Sequence, residues 1–215
     1  MSTRSSMRRM LIPACLSLLI AAVVLPARCE TTGDAQAYVQ ASIRTALSIL
    51  QDKSVSDAAR RERIHAFLLT LLDTRRIALY TLGAAQQSAS PSDLATFIDA
   101  YRDFMVANYD SQLGGYDGQS LEVTASMEHA PGDYVVSAVL VDPAAESGDQ
   151  ALKFDLRVVS EDGKFYVVDA RIEGIWLELA QRSDFQGFLQ EHNGDVAVLT
   201  AHLKAMTAKL QVAAD

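Results

Sequence analysis

The chain has 215 residues, 49% of them hydrophobic, with 19 basic against 27 acidic side chains and a formal net charge of −8. That acidic excess opposes binding to nucleic acid and simple docking on anionic lipid, while the length suffices for one domain with a sizeable core. Both cysteines, Cys15 and Cys29, fall in the first 29 residues, so a chain processed after Cys29 has no disulfide and no thiol chemistry.

The N-terminus has three zones. Arg4, Arg8 and Arg9 make a basic start, residues 11–25 are apolar apart from Pro13 and Ser17, and Pro26-Ala27-Arg28-Cys29 puts small residues at −3 and −1 of a cut before Glu30. This order predicts a cleavable secretory signal peptide over residues 1–29, followed by one domain over 30–215. The apolar run, about fifteen residues, is shorter than the roughly 20 that span a bilayer. A lipoprotein signal fits less well, because Arg28 precedes Cys29 and the Ala14-Cys15 pair lies inside the apolar run. Cleavage would remove four arginines and no acid, leaving 15 bases against 27 acids, a charge of about −12.

The next stretch reads as helices. Residues 34–51 carry Tyr38, Ile43, Ala46, Leu47 and Leu50 at three- and four-residue spacing. Ser56 is placed to cap a second helix over residues 57–73, with Ile64, Phe67, Leu68, Leu71 and Leu72 on one face. A short third helix is expected over 74–85, a polar loop over 86–92, and a long fourth helix to Leu113 whose stripe is Leu94, Phe97, Ile98, Tyr101, Phe104, Met105 and Tyr109.

Gly114-Gly115 then stops the helix and the apolar period falls to two. Leu121, Val123, Ala125 and Met127 alternate with polar residues, Pro131-Gly132-Asp133 turns the chain, and residues 134–141 are apolar on both faces. Leu152, Phe154, Leu156 and Val158 alternate with Lys153, Asp155 and Arg157; Glu161-Asp162-Gly163 is a hairpin turn, and residues 165–172 form the last strand. This predicts a four-stranded antiparallel meander. Glu173-Gly174 ends it, Ser183 is expected to cap a helix with Phe185, Phe188 and Leu189, and Asn193-Gly194-Asp195 opens a final helix. A helical N-terminal part, a meander and C-terminal helices make an α+β fold.

Chemistry is sparse. There is no G-x-S-x-G elbow, P-loop or G-x-G-x-x-G, and His65, His129, His192 and His202 lack metal-ligand spacing. Asp169, in an apolar strand, is a candidate base; a strand carboxylate paired with Arg157 or Arg171 is the simpler reading. A cleft between a curved sheet and the aromatic fourth helix, lined by Leu, Val, Phe and Tyr without convergent polar groups, suits an apolar ligand better than a reaction.

Several segments resemble one family in their order and spacing. They are Arg75-Arg76-Ile77-Ala78-Leu79-Tyr80-Thr81-Leu82-Gly83, Ser90-Pro91-Ser92-Asp93-Leu94-Ala95-Thr96-Phe97, Tyr101-Arg102-Asp103-Phe104, Leu113-Gly114-Gly115-Tyr116, and Val167-Val168-Asp169-Ala170-Arg171-Ile172-Glu173-Gly174-Ile175-Trp176, which leads into Gln181-Arg182-Ser183-Asp184-Phe185. Together with Asn193-Gly194-Asp195-Val196, they resemble the MlaC family of "toluene tolerance" periplasmic phospholipid-binding proteins over roughly residues 35–210. Two departures stand out: Ala84-Ala85-Gln86 replaces a bulky, aromatic segment, and Trp176 replaces a small residue.

The resemblance implies a periplasmic carrier, without catalysis, cofactor or metal, that moves phospholipid between an outer-membrane lipoprotein complex and an inner-membrane ABC transporter complex with its substrate-binding ring protein. Exposing about 30 acyl methylenes would cost on the order of 20 kcal/mol, so such a carrier must bury them. The expected lining is Leu152, Phe154, Leu156, Val168, Ala170, Ile172, Ile175 and Trp176 from the sheet side, facing Leu68, Leu72, Phe97, Tyr101 and Phe104. No basic cluster is apparent for the headgroup. The alternatives are an enzyme with Asp169 and a tyrosine in a cone-shaped α+β pocket, and a non-catalytic interaction module.

Overall fold

The computed structural model describes residues 30–113, 116–145 and 151–214. The leader expected at residues 1–29, with Cys15 and Cys29, lies outside them. No helix among the described residues is long and apolar enough to cross a membrane.

Each early helix starts on a side chain that supplies an acceptor to orphan backbone N–H groups. Helix α1, Thr32–Leu50, has a capping box in which Thr31 and Asp34 satisfy each other's backbone N–H. Ser56 caps α2, Asp57–Leu71, and Asp73 caps α3, Thr74–Leu82. The third helix is shorter than expected: at Gly83 the chain tightens into a 3-10 turn, Gly83–Gln87, in which Ala85 packs on the core. Gly83 has φ +57, a conformation that favours glycine, and a Cβ there would stand 2.5 Å from Nε2 at the end of the flexible Gln186 side chain. Ser90 accepts the Asp93 N–H (3.1 Å) and Pro91 occupies the first turn of α4, Pro91–Leu113.

The sheet is an antiparallel meander in sequence order: β1 Ser120–Ala130, β2 Asp133–Val141, β3 Lys153–Glu161, β4 Lys164–Ile172 and β5 Ile175–Trp176. It therefore has five strands, not four. Glu173 (φ +47) and Gly174 (φ +87) do not end the sheet but form a two-residue hairpin, which lays Ile175 opposite Ile172 and Trp176 opposite Arg171. Beyond β5's reach, the free edge of β4 is met by the α2–α3 junction, where Asp73 N–H donates to Val167 O (3.2 Å).

Bulges correct the expected strand faces. The β1–β2 register slips between Val123 and Ala125, so Ser126 comes opposite buried Val136, and Met127 is 59% exposed. The β3–β4 register slips after Arg157↔Asp169, and Val158 meets Val167. Val168 is thus the unpaired bulge residue.

Helix α5, Leu177–Glu191, begins directly after β5, so Ser183 lies inside the helix and is not its cap. Asp195 accepts the N–H of Ala197 (2.8 Å) and opens α6, Val196–Ala214. Helix α1 lies over β1 and β2, and α6 packs along α4. The core joins Val39, Leu72, Phe97, Tyr101, Phe104, Tyr134, Val136, Val158, Val167, Leu199 and Leu203. Phe185 sets its ring edge-on to Phe97 (6.2 Å, 86°) and Tyr101 (6.3 Å, 88°).

Candidate functional site

Register decides which strand residues share a face, because residues directly opposite each other point the same way. On the side facing the helices, one row crosses all five strands: Val123, Ala138, Phe154, Ile172 and Ile175. A shorter row beside it runs Val136, Leu156, Ala170. The row is most buried at Ala138, 2% exposed, and most open at the β5 edge: Val123, Phe154 and Ile172 are half-buried, and Ile175 is 61% exposed. Apolar side chains that point toward the helices yet stay partly uncovered mark a place where protein atoms leave hydrocarbon surface open.

The thirteen residues expected to line a pocket separate into four groups. Leu72, Phe97, Tyr101 and Phe104 belong to the packed core, with Leu68 and Leu156 at its border. Phe154, Ala170, Ile172 and Ile175 stand together on the open rows, and Leu152, half-buried, immediately precedes β3. Val168 is displaced by the bulge, and Val167 takes its place opposite Val158. Trp176 lies on the other face, opposite Arg171, whose guanidinium sits 4.9 Å from its ring centre and is salt-bridged to Asp155. Val123 and Ala138 join the row unforeseen; only the pairing register could have selected them from strands that are apolar or alternating along their length.

Behind the row lies a polar cluster. Tyr101, wholly buried, places its hydroxyl 3.0 Å from Glu178 Oε2 and 2.5 Å from Gln181 Oε1. One hydroxyl hydrogen cannot serve both oxygens. The second bond forms when Glu178 is protonated and donates to the phenol, or when the Gln181 amide turns its nitrogen toward it. Burial, reinforced by Asp169, pushes the Glu178 carboxyl up to about 7 against the Tyr101 hydrogen bond. Burial likewise raises Tyr101 well above the usual phenol range and Tyr109 to about 12.

Asp169 is not paired with an arginine. Arg157 binds Asp133 (2.6 Å) and Arg171 binds Asp155 (2.5 Å). Asp169 Oδ1 instead accepts the N–H of Ala170 (2.8 Å) and of Glu178 (3.1 Å), and so caps α5 from across the sheet. Its carboxyl is raised by burial and held back by those two N–H groups and Arg157. With that oxygen committed to backbone, and the tyrosine hydroxyl hydrogen-bonded inside the core, the pair is arranged to hold α5 in place.

A separate cleft of about 1270 Å³ opens between the C-terminal ends of α1, α4 and α6 and the start of α2. None of the thirteen residues lines it. Lys53, Arg60 and Arg61 do, so three bases gather at one mouth despite the scattered look of the sequence, alongside Asp57, Asp110 and Asp117. Charges of both signs, with Arg60 paired to Asp57 and Asp110 to His65, stand there beside the apolar Leu50, Val55, Ile64, Ala107 and Leu210.

Among known proteins, a solved structure of a phospholipid-binding protein from Ralstonia solanacearum in complex with a phospholipid is similar to this chain. The two are 18% identical with a TM-score of 0.71, over 82% of this chain and 98% of that one. At this identity the likeness speaks to the fold. A search of curated proteins gave no match. The MlaC protein family model matches residues 40–205, most of the chain, and the chain belongs to the MlaC family.

Proposed function

We propose that this protein is a periplasmic phospholipid carrier: exported by cleavage of residues 1–29, it binds acyl chains in the single domain 30–215 and performs no catalysis. The observation that carries the reading is the partly uncovered apolar row Val123, Ala138, Phe154, Ile172, Ile175 on the helix-facing side of the sheet. Family membership and the phospholipid held by the Ralstonia solanacearum protein support it. Acyl chains seated against this row displace water from apolar surface on both partners, and each methylene removed from water gains about 0.8 kcal/mol. The carrier's partners are an outer-membrane lipoprotein complex and an inner-membrane ABC transporter complex with its substrate-binding ring protein.

Native mass spectrometry of the exported protein, purified without added lipid, tests the reading. Bound phospholipid is expected; a protein that stays lipid-free after incubation with phospholipid vesicles refutes it. Phe154→Glu locates the ligand. Phe154 is half-buried and outside the core cluster, so water can reach a carboxylate there in the empty protein, whereas acyl chains against it would strand a charge in hydrocarbon. A native circular dichroism spectrum with loss of bound lipid is expected. Unchanged lipid content would move the ligand off this row.

A further inference from the structure

We propose that the β5 edge of the sheet is the port through which acyl chains enter and leave, with Ile175, Leu177 and Leu179 forming its sill. The inference rests on the carrier reading and adds where the ligand passes. Three observations converge on this edge. The helix-facing row grades in burial along a single line of cross-strand neighbours, from Ala138 at 2% exposed to Ile175 at 61%. A patch for a rigid protein partner would be apolar at its centre and polar around it; this one continues inward, as a path for a sliding chain must.

Second, the exposed apolar residues continue past the row. Leu177 is exposed and Leu179 is 55% exposed, both in the first turn of α5 directly beyond β5. Third, β5 is two residues long and pairs on one side alone, with β4. Among the described residues, no further strand extends the sheet past β5. Glu178, between the two leucines, turns inward to Tyr101, while its backbone N–H is held by Asp169. The helix start is thus pinned by polar contacts on its inner side and offers only hydrocarbon outside. A methylene leaving the row past Ile175 meets Leu177 and Leu179 before it meets water, which lowers the barrier to transfer without tightening or loosening the bound state.

Transfer kinetics separate this from the carrier reading itself. The exported protein is loaded from vesicles of phosphatidylethanolamine and phosphatidylglycerol containing a fluorescent phosphatidylethanolamine, and the rate of delivery to unlabelled vesicles of the same composition is followed. If the wild type takes up no lipid, the carrier reading fails. If it does, Leu177→Asp and Leu179→Asp, outside the row, are expected to slow loading and delivery by roughly tenfold, with the amount of lipid held at equilibrium unchanged. Val212→Asp, which removes a still more exposed apolar side chain at the far end of α6, is the control and is expected to match the wild type. Unaltered rates in the two sill variants, or equal slowing by Val212→Asp, would overturn the port. Loss of bound lipid in Leu177→Asp or Leu179→Asp would also overturn it, since that makes the start of α5 a wall of the pocket.

Discussion

Glu178→Gln tests the polar cluster behind the apolar row. In the unfolded chain this carboxyl releases its proton near 4.5; in the folded protein burial and Asp169 hold the proton to about 7. The folded state therefore binds the proton more tightly, so the stabilisation is complete below pH 4.5 and is lost as pH rises through 7. A tenfold difference in proton affinity is worth about 1.4 kcal/mol, and across this window the loss amounts to about 3 kcal/mol. Glutamine has the same shape, never ionises, and its amide N–H can donate to the Tyr101 hydroxyl as the protonated acid does. Urea unfolding of both proteins at pH 5 and pH 8 reads the effect directly. The variant should gain about 2–3 kcal/mol over the wild type between pH 5 and pH 8, as a shift in midpoint without a change in slope. A pH-independent difference between the two proteins would refute the argument, and would mean that Glu178 is ionised and well solvated in the fold.

Two further outcomes follow from particular residues. Gly83→Ala should cost about 1–2 kcal/mol in thermal unfolding, because the residue sits at φ +57, a conformation that an L side chain rarely adopts; a neutral substitution would refute that strain. N-terminal sequencing of the exported protein should read from Glu30, while an intact Met1 or a lipid-modified Cys29 would contradict the cleavage site.

Helices were legible in the sequence because caps and period agree. Ser56, the apolar stripe of α4 and Asp195 each announce an element that the structure contains. Where two signals competed, the reading failed. Ser183 has the chemistry of a cap, but Leu177 already continues the chain from β5 into α5, with Asp169 supplying the acceptor from a neighbouring strand. No local pattern carries that information, since the capping atom is distant in sequence. The fifth strand was missed for a related reason: Glu173-Gly174 lacks the Asn-Gly or Asp-Gly chemistry that marks a two-residue hairpin, although its backbone adopts the same left-handed pair of conformations.

The site was legible where alternation is uninterrupted and obscured where a bulge intervenes. Strand β3 alternates without interruption from Phe154 to Leu156, and both residues fall on the helix-facing side. In β4 the run Phe165 to Val168 is apolar at successive positions, so nothing in it tells which valine faces in. The slip at Val168 decides the matter, bringing Val167 opposite Val158. Asp169 stays opposite Arg157 in the register, and its Oδ1 reaches the first turn of α5. There it meets the Glu178 N–H and raises the proton affinity of the Glu178 carboxyl. The slip chooses which valine of β4 meets Val158, while the hydrogen bond from the Glu178 N–H to Asp169 holds the helix start that leaves Ile175, Leu177 and Leu179 facing water at the row's open end.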